Sequence, residues 1–265
     1  MMLERIIADR KRTVGALKKS WPLDLAAVDR TRLNPCRDLK AAISSAPGLG
    51  IIAEVKQASP SKGIICQDFD PSAIAKEYAA NKAAGISVLT EPKYFLGKDE
   101  YLPEIGAVVS LPILRKDFII DPYQILEAKL LGADCILLIA AVLSLGELVD
   151  FIKLAKELKL QCLVEVHNQT ELDMALEAGA DFVGINNRNL HTFETNLEVT
   201  LELASFIPKD IVVISESGVH TRSDMELLEA AGVDGVLIGE SLMRAADISQ
   251  KFRELRGELD EYEQG

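Results

Sequence analysis

The sequence predicts an α/β protein built as a single (β/α)8 TIM barrel with an N-terminal helical extension. Eight short apolar runs alternate with helix-start signals, and most of the runs lack polar alternation, as expected for parallel strands buried on both faces. Glycines at positions 85, 132, 179 and 232 recur in similar surroundings at spacings of 47, 47 and 53 residues. Each interval contains one further strand, so four pairs of β–α units indicate a closed barrel.

The predicted strands have the usual length of a strand and are too short for helices. In chain order they are Ile51–Val55, Ile86–Leu89, Pro112–Arg115, Cys135–Ala140, Gln161–Val166, Phe182–Asn186, Ile211–Ser215 and Gly235–Ile238. A doubly wound open sheet is the structural rival. It would normally carry a GxGxxG motif after its first strand, and the sequence has no such motif there.

Helix starts and ends lie between these strands. Asp70-Pro71 and Asp121-Pro122 each place an N-cap before a proline at the first helical position. Capping-box spacing occurs at Ser144…Glu147, Asn168…Glu171 and Thr195…Glu198, with a weaker variant at Thr221…Asp224. The four recurring glycines, Gly85, Gly132, Gly179 and Gly232, are predicted as left-handed C-caps.

Three segments make up the predicted domain organisation. Residues 1–48 precede the repeat, and the apolar spacing there predicts an amphipathic helix packed on the barrel, with Leu3, Ile6, Ile7, Val14 and Leu17 on its apolar face. Residues 49–256 are predicted to form the (β/α)8 barrel, which would carry any catalytic site. Residues 257–265, GELDEYEQG, are predicted to form an acidic C-terminal tail that is solvated.

The overall charge and composition exclude several kinds of partner. The formal net charge is −12, so we expect no binding to nucleic acid or to acidic membranes. The chain has no apolar run near the roughly 18 residues that span a bilayer, and its N-terminus lacks a signal-peptide core, which favours a cytoplasmic protein. Its four cysteines form no CxxC pair, and His167, His191 and His220 show no metal-ligand spacing. We expect no metal and no cofactor, and capping or surface roles for the histidines.

Charged and small polar residues stand where six predicted strands end, and barrel enzymes place their active sites at those ends. They are Glu54 and Lys56 for the first strand, Lys116 for the third, Glu165 for the fifth, Asn186 and Arg188 for the sixth, Glu216, Ser217 and Gly218 for the seventh, and Gly239, Glu240 and Ser241 for the eighth. Inert ion pairs are the alternative, but buried unpaired charge is costly and a barrel does not need it for stability. We therefore predict a functional site.

The segments SESG and IGES predict a phosphate site, because the loops after strands seven and eight bind phosphate in many barrels. Small residues let backbone N–H groups approach phosphate oxygens. Ser217 adds a hydroxyl and Arg188 a charge-assisted contact. We expect the backbone of Glu240 to contribute while its side chain points away.

The two lysines admit two chemistries. A Schiff-base aldolase needs a neutral lysine, which desolvation or a neighbouring cation would favour. The expected neighbours are glutamates, which stabilise the ammonium form of a lysine whose ordinary pKa is about 10.4. General acid–base catalysis or an anion clamp is therefore favoured over imine formation.

Seven segments between residues 51 and 244 read, in chain order, IIAEVKQASPSKG, ISVLTEPKYFLG, PILRKDFIIDPYQI, CLVEVH, INNRNLHTF, ISESG and LIGESLMR. In this order they resemble the indole-3-glycerol phosphate synthase family of tryptophan biosynthesis. The resemblance implies a carboxy-lyase that closes the ring of 1-(o-carboxyphenylamino)-1-deoxyribulose 5-phosphate, with loss of CO₂ and then water. It implies a small phosphorylated substrate as partner and leaves contact with other tryptophan-pathway enzymes open.

The resemblance also implies roles for individual residues. Lys116 donates a proton to the keto oxygen, and Glu165 stabilises the positive charge of the ring or takes part in proton transfer. Lys56 is implied to hold the substrate carboxylate and to act in dehydration, and Glu54 to orient a lysine. Asn186 is implied to orient a hydroxyl or the bound substrate, and Ser217 is a further implied catalytic residue. The implied substrate-binding residues are Phe95, Phe118 and Leu137 as an apolar wall, Ser59 on a mobile lid (residues 59–63), Arg188 and Glu216.

Two other functions fit the residues less well. A phosphosugar isomerase or aldolase could occupy the same barrel, and borohydride trapping of an imine on Lys56 or Lys116 would favour the aldolase. A non-catalytic barrel that binds a phosphorylated metabolite predicts binding without turnover. That hypothesis leaves the set of acid–base residues unexplained.

Overall fold

A computed structural model describes residues 2–189 and 192–258 of the chain. Eight parallel strands close into one barrel, and they are β1 (Gly50–Val55), β2 (Gly85–Leu89), β3 (Ile113–Lys116), β4 (Cys135–Ile139), β5 (Gln161–Val166), β6 (Phe182–Asn186), β7 (Val212–Glu216) and β8 (Gly235–Ile238). Strands β8 and β1 pair in parallel and complete the ring. The (β/α)8 barrel is confirmed, and an open doubly wound sheet is excluded. His191 and residues 259–265 of the predicted tail lie outside the described residues.

Helices follow the strands and form the outer layer. They are α1 (Met2–Ser20), α2 (Leu39–Ser44), α3 (Pro71–Ala80), α4 (Tyr101–Gly106), α5 (Pro122–Leu130), α6 (Leu145–Glu157), α7 (Gln169–Glu177), α8 (Glu198–Ala204), α9 (Arg222–Ala230), α10 (Glu240–Met243) and α11 (Ile248–Arg256). Short 3-10 turns span Arg30–Arg32 and Ala140–Val142, and an antiparallel hairpin of Ala58–Ser59 with Gly63–Ile64 follows β1. Within the described ranges, no helix is long and apolar enough to cross a membrane.

Most of the predicted helix starts are confirmed. The side chains of Asp70, Asp121 and Asn168 accept backbone N–H groups as N-caps, and Ser144 and Thr221 form complete capping boxes. The start predicted at Thr195 is wrong. That residue forms an isolated bridge with Arg188, and the side chain of Asn196 accepts the N–H of Glu198 (3.0 Å) where α8 begins.

Three of the four predicted C-cap glycines have left-handed backbone, with φ of 87° at Gly132, 82° at Gly179 and 80° at Gly232. Gly85 does not, because it is the first residue of β2, and Lys82 takes the left-handed position after α3 with φ of 55°. A Cβ at Gly85 would lie 2.3 Å from Cδ1 of Leu39. Close packing of α2 against the barrel therefore explains this glycine.

Apolar side chains fill the barrel from its N-terminal end up to the level of the site. Leu39 and Ile43 of α2 are fully buried against the inward side chains of the strands, among them Ile52, Leu163 and Phe182. A larger apolar cluster fills the layer between strands and helices. The polar site is thus confined to the C-terminal mouth.

Helix α1 packs on the barrel as the apolar pattern predicts. Ile6 and Val14 are buried, while the other residues of the predicted apolar face are partly exposed. The boundaries proposed for the extension, barrel and tail stay a prediction.

A buried charge network fixes α1 beside the end of β3. The guanidinium of Arg10, which is 3% exposed, pairs with Asp117. Asp117 also accepts from the hydroxyl of Thr90 (2.8 Å) and contacts Arg115, which is fully buried. Arg115 in turn pairs with Asp99 (2.7 Å) and Glu127 (2.8 Å). Because Asp117 follows Lys116 directly, this network anchors the strand end that carries the candidate acid.

Arg10→Ala should lower the free energy of unfolding by about 3 kcal/mol, because it leaves a carboxylate buried with less compensation. Arg12→Ala is the matched control on the same helix. The Arg12 side chain is 75% exposed and pairs with Asp9, so its loss should cost less than about 1 kcal/mol. Urea denaturation of the two variants measures both values. Equal, small losses would contradict a structural role for the buried pair.

Candidate active site

One cavity opens at the C-terminal mouth of the barrel. Every site residue predicted from the sequence lines it, namely Glu54, Lys56, Ser59, Phe95, Lys116, Phe118, Leu137, Glu165, Asn186, Arg188, Glu216, Ser217, Gly218, Gly239, Glu240 and Ser241. They converge because the strands are parallel and their carboxyl ends meet at one rim. The structure thus brings the predicted residues together, while their individual roles stay predictions.

The Lys116 ammonium lies between two buried carboxylates. Its Nζ is 3.0 Å from Oε2 of Glu165 and 3.2 Å from Oε2 of Glu216. Burial alone would lower the pKa of Lys116, but Glu165, Glu216 and Glu54 outweigh it and hold that pKa well above its ordinary value. Lys116 is therefore protonated at neutral pH, which suits a proton donor and disfavours an imine.

The two carboxylates that contact Lys116 have different pKa values. Burial would raise the pKa of Glu165, yet Lys116 and His167 together lower it below its ordinary range. Burial raises the pKa of Glu216 to about 7, because Lys116 is shared and Glu165 lies nearby. Oε1 of Glu216 is also buried without a hydrogen-bond partner. Glu165 is thus ionised across the physiological range, whereas Glu216 changes its charge near neutral pH.

A second ion pair lies at the end of β1. Glu54 and Lys56 are two residues apart, so they share a face, and the Lys56 ammonium contacts Oε1 of Glu54. A Cβ at Gly239 would lie 2.3 Å from the same Oε1. The end of β8 therefore requires glycine, because the backbone there approaches this pair closely.

Aromatic and aliphatic side chains form one wall of the cavity. The ring centroids of Phe95 and Phe118 are 6.2 Å apart, and Leu137 is buried on the same cavity. Met2, Leu3 and Ile6 of α1 also line it, although they were not predicted as site residues from the sequence. The apolar periodicity placed this helix on the barrel but gave no signal for which end of the barrel it covers.

The loop after β7 has a backbone shape that suits anion binding. Ser217 and Gly218 are consecutive left-handed residues, with φ of 66° and 88°. Asn187, which is 2% exposed, holds this loop by donating to the carbonyl of Ser217 (2.9 Å). Asn186 was predicted from the sequence as a site residue, and Asn187 was not. The adjacent asparagines in INNR were the available signal, since successive residues of a strand face opposite sides.

The loop after β8 is joined to the loop after β7. The hydroxyl of Ser241 donates to the carbonyl of Val219 (3.0 Å). The carboxylate of Glu240 lies 3.9 Å from both Lys62 and Arg188 and 3.2 Å from Arg244, so it is paired with three cations at the rim of the cavity. Its direction relative to a bound phosphate stays a prediction.

The arrangement offers acid–base groups rather than a metal centre. Across residues 2–189 and 192–258, no three or more His, Cys, Asp and Glu side chains are grouped so that they could hold a metal ion. What the cavity contains is one fixed ammonium between two carboxylates, a second lysine–glutamate pair, an apolar wall, and two small-residue loops. This set can bind an anionic aromatic molecule and exchange protons with it.

Comparisons with known proteins agree with one another. A family model described as "Indole-3-glycerol phosphate synthase" matches residues 3–255. A protein of that name from Alkaliphilus metalliredigens (strain QYMF) is 51% identical over 259 residues, covering 98% of this chain and 99% of the relative. Another of that name from Lachnoclostridium phytofermentans is 45% identical over 271 residues, covering 98% of this chain and 100% of the relative.

Solved structures share the fold at low identity. The 3-hexulose-6-phosphate synthase of Salmonella typhimurium matches with a TM-score of 0.65 at 15% identity, covering 79% of this chain and 97% of that chain. A mutant tryptophan synthase α-subunit from Pyrococcus furiosus matches with a TM-score of 0.59 at 18% identity, covering 78% and 98%. These similarities show the shared barrel alone.

The free energy of unfolding of Glu216→Gln should increase relative to that of the wild type as the pH rises. The raised pKa of Glu216 means that the folded state holds its proton more tightly than the unfolded state. The wild-type free energy of unfolding therefore falls as the pH rises from about 4.5 to about 7. Glutamine cannot ionise, so the variant does not show this fall. Denaturation at pH 5 and pH 8 should show the difference between variant and wild type growing by about 1 to 3 kcal/mol.

The control for this measurement is Glu226→Gln, since the Glu226 side chain is 59% exposed and pairs with Arg222 on the surface of α9. It should show no comparable gain between the two pH values. A pH-independent difference for Glu216→Gln would mean that Glu216 is ionised in the folded protein well below neutral pH.

Proposed function

Because the chain belongs to the indole-3-glycerol phosphate synthase family, we propose that the cavity closes the indole ring with Lys116 and Glu165 as its principal acid–base pair. The chain is a carbon–carbon lyase of tryptophan biosynthesis. It converts 1-(o-carboxyphenylamino)-1-deoxyribulose 5-phosphate to indole-3-glycerol phosphate, CO₂ and water. The observation that carries the residue assignment is the Lys116 ammonium held between Glu165 and Glu216.

Ring closure requires a proton at the keto oxygen. The ring carbon that carries the carboxylate attacks the keto carbon, and the keto oxygen becomes a hydroxyl. Lys116 supplies this proton, because it is a protonated donor inside the cavity. The ring carries positive charge until CO₂ leaves, and the ionised carboxylate of Glu165, 2% exposed, stabilises that charge more strongly than it would in water.

Loss of CO₂ and then of water completes the reaction. Lys56 holds the substrate carboxylate before it leaves and protonates the departing hydroxyl in the dehydration. Glu54 orients Lys56 through the ion pair at the end of β1. Asn186 contacts a substrate hydroxyl. Dehydration also removes a proton from the ring carbon beside the nitrogen, and Glu165 accepts it.

The rest of the cavity binds and shields the substrate. Phe95, Phe118 and Leu137 contact the aromatic ring, and Arg188 with the loops after β7 and β8 holds the phosphate. The hairpin that carries Ser59 is exposed at residues 61–64, and it closes over the site and keeps water from the decarboxylation step.

The test is turnover of 1-(o-carboxyphenylamino)-1-deoxyribulose 5-phosphate by the purified protein, followed by indole fluorescence. We expect a saturable rise for the wild type and none for Lys116→Ala, whose folding is checked by circular dichroism. Near-normal turnover by Lys116→Ala would remove this lysine from the mechanism. Tight binding without turnover by the wild type would favour a non-catalytic barrel, and borohydride trapping of an imine would favour an aldolase.

Arg188→Ala should mainly raise KM, by about 10- to 100-fold, because a charge-assisted contact contributes about 1.5 to 3 kcal/mol to binding. Arg244→Ala is the matched control, since Arg244 also pairs with Glu240 but its side chain is 47% exposed and it does not line the cavity. The control should change KM less than about threefold. An unchanged KM in Arg188→Ala would move the phosphate site elsewhere.

A further inference from the structure

His167 contacts Glu165 from the side opposite Lys116. Its Nε2 lies 3.3 Å from Oε1 of Glu165, whereas Lys116 is 3.0 Å from Oε2 of the same carboxylate. The His167 side chain is 11% exposed and stands just beyond the end of β5. Glu165 therefore lies between two cationic side chains, each facing one of its oxygens.

We propose that His167 is a positioning residue for Glu165: its imidazolium fixes Oε1, so that the ionised carboxylate keeps Oε2 towards Lys116 and the substrate. This inference rests on the proposed role of Glu165 in the reaction. His167 touches Glu165 and not the proposed substrate cavity, whose lining does not include it within the described residues. It therefore acts through the carboxylate.

The ring of His167 is held by the first turn of α7. Oε2 of Glu171 accepts the backbone N–H of His167 (2.9 Å) and faces its Nδ1 (2.9 Å). Oε1 of Glu171 accepts from the side chain of Asn168 (2.7 Å), which is the N-cap of the helix. Glu171 is thus fixed by three contacts, and it orients the imidazole towards Glu165.

Both ring nitrogens face carboxylates. Nδ1 lies 2.9 Å from Oε2 of Glu171, while Nε2 is buried 3.3 Å from Oε1 of Glu165 without completing a hydrogen bond, so the contact with Glu165 is ionic and favours the imidazolium. Burial would lower the pKa of His167, but Glu165 and Glu171 raise it to about 10. The other charged groups around the ring line a second cavity beside it, and they are Glu4 of α1, Arg188 after β6 and Glu194 before α8. From within the barrel, Lys116 and Glu216 act on Glu165, and Glu54 acts on both Lys116 and Glu216.

The site needs this second cation because one ammonium serves two carboxylates. Lys116 contacts Glu216 as well as Glu165, and both are almost fully buried. When Glu216 ionises, the two negative charges share Lys116. An imidazolium on the far oxygen of Glu165 offsets that excess and keeps the carboxylate ionised.

Two conservative variants separate the contact with Glu165 from the contact with Glu171. In His167→Asn, the amide nitrogen takes the place of Nδ1 and can donate only towards Glu171. In His167→Gln, the amide nitrogen takes the place of Nε2 and can donate to Glu165, although without charge. We expect kcat to fall about 10- to 100-fold in His167→Asn, with KM changed less than about threefold, and to fall markedly less in His167→Gln.

The pH dependence provides a readout that a purely structural role would not change. Loss of the imidazolium raises the pKa of Glu165, so the acid limb of the kcat profile should move to higher pH in His167→Asn. The carboxyl carbon of Glu165, observed by ¹³C NMR in the free protein, should show the same upward shift without any turnover. Wild-type kcat in His167→Asn, or an unshifted Glu165 titration, would overturn the proposal.

Failure of the proposed function looks different. If the wild type does not turn over the substrate although the Glu165 titration shifts in His167→Asn, the assigned reaction is wrong, while the pairing of His167 with Glu165 stands. If the wild type is active and the titration does not shift, the reaction stands and the positioning role is wrong.

Discussion

The arrangement at the barrel mouth depends on the Lys116 ammonium held between Glu165 and Glu216. These residues lie at the C-terminal ends of β3, β5 and β7, so they meet only if the sheet closes into a barrel. An isolated buried charge is very unfavourable, and each member of this group needs the others to remain charged. Strand alternation places the carboxylates of Glu165 and Glu216 on the inward face of the barrel. Their pairing with Lys116 makes this buried position favourable.

The shared ammonium also gives two chemically identical side chains different properties. Glu165 has Lys116 on one oxygen and His167 on the other, and its pKa falls. Glu216 has only a share of Lys116 and an orphaned second oxygen, and its pKa rises to about 7. Environment thus separates a carboxylate that is ionised throughout the working range from one that exchanges a proton near neutrality, and a reaction with several proton transfers can use both.

The fold and most of the site could be predicted from sequence because both follow local rules. Strand alternation and parallel strand ends placed Glu54, Glu165 and Glu216 at one mouth, and capping chemistry gave most helix starts. Long-range pairs could not be predicted: Arg10 and Asp117 are 107 residues apart, and no local pattern links them. The C-cap predicted at Gly85 is wrong because a glycine required by packing against α2 has the same sequence context as a C-cap glycine. His167 lies two residues after Glu165, so its contact with that carboxylate could have been predicted from strand alternation. The expected capping or surface role for the histidines did not include this contact.

The most direct test of the account is the protonation state of Lys116 itself. Lysine side chains labelled with ¹³C at Cε can be titrated by NMR, with the Lys116 signal assigned by its loss in Lys116→Arg. An ordinary lysine titrates near pH 10.4. The account predicts that the Lys116 signal stays in its ammonium position from about pH 6 to beyond about pH 11, because the surrounding carboxylates retain its proton. A titration below about pH 9 would contradict it, since burial would then outweigh the carboxylates and leave a neutral amine suited to imine chemistry.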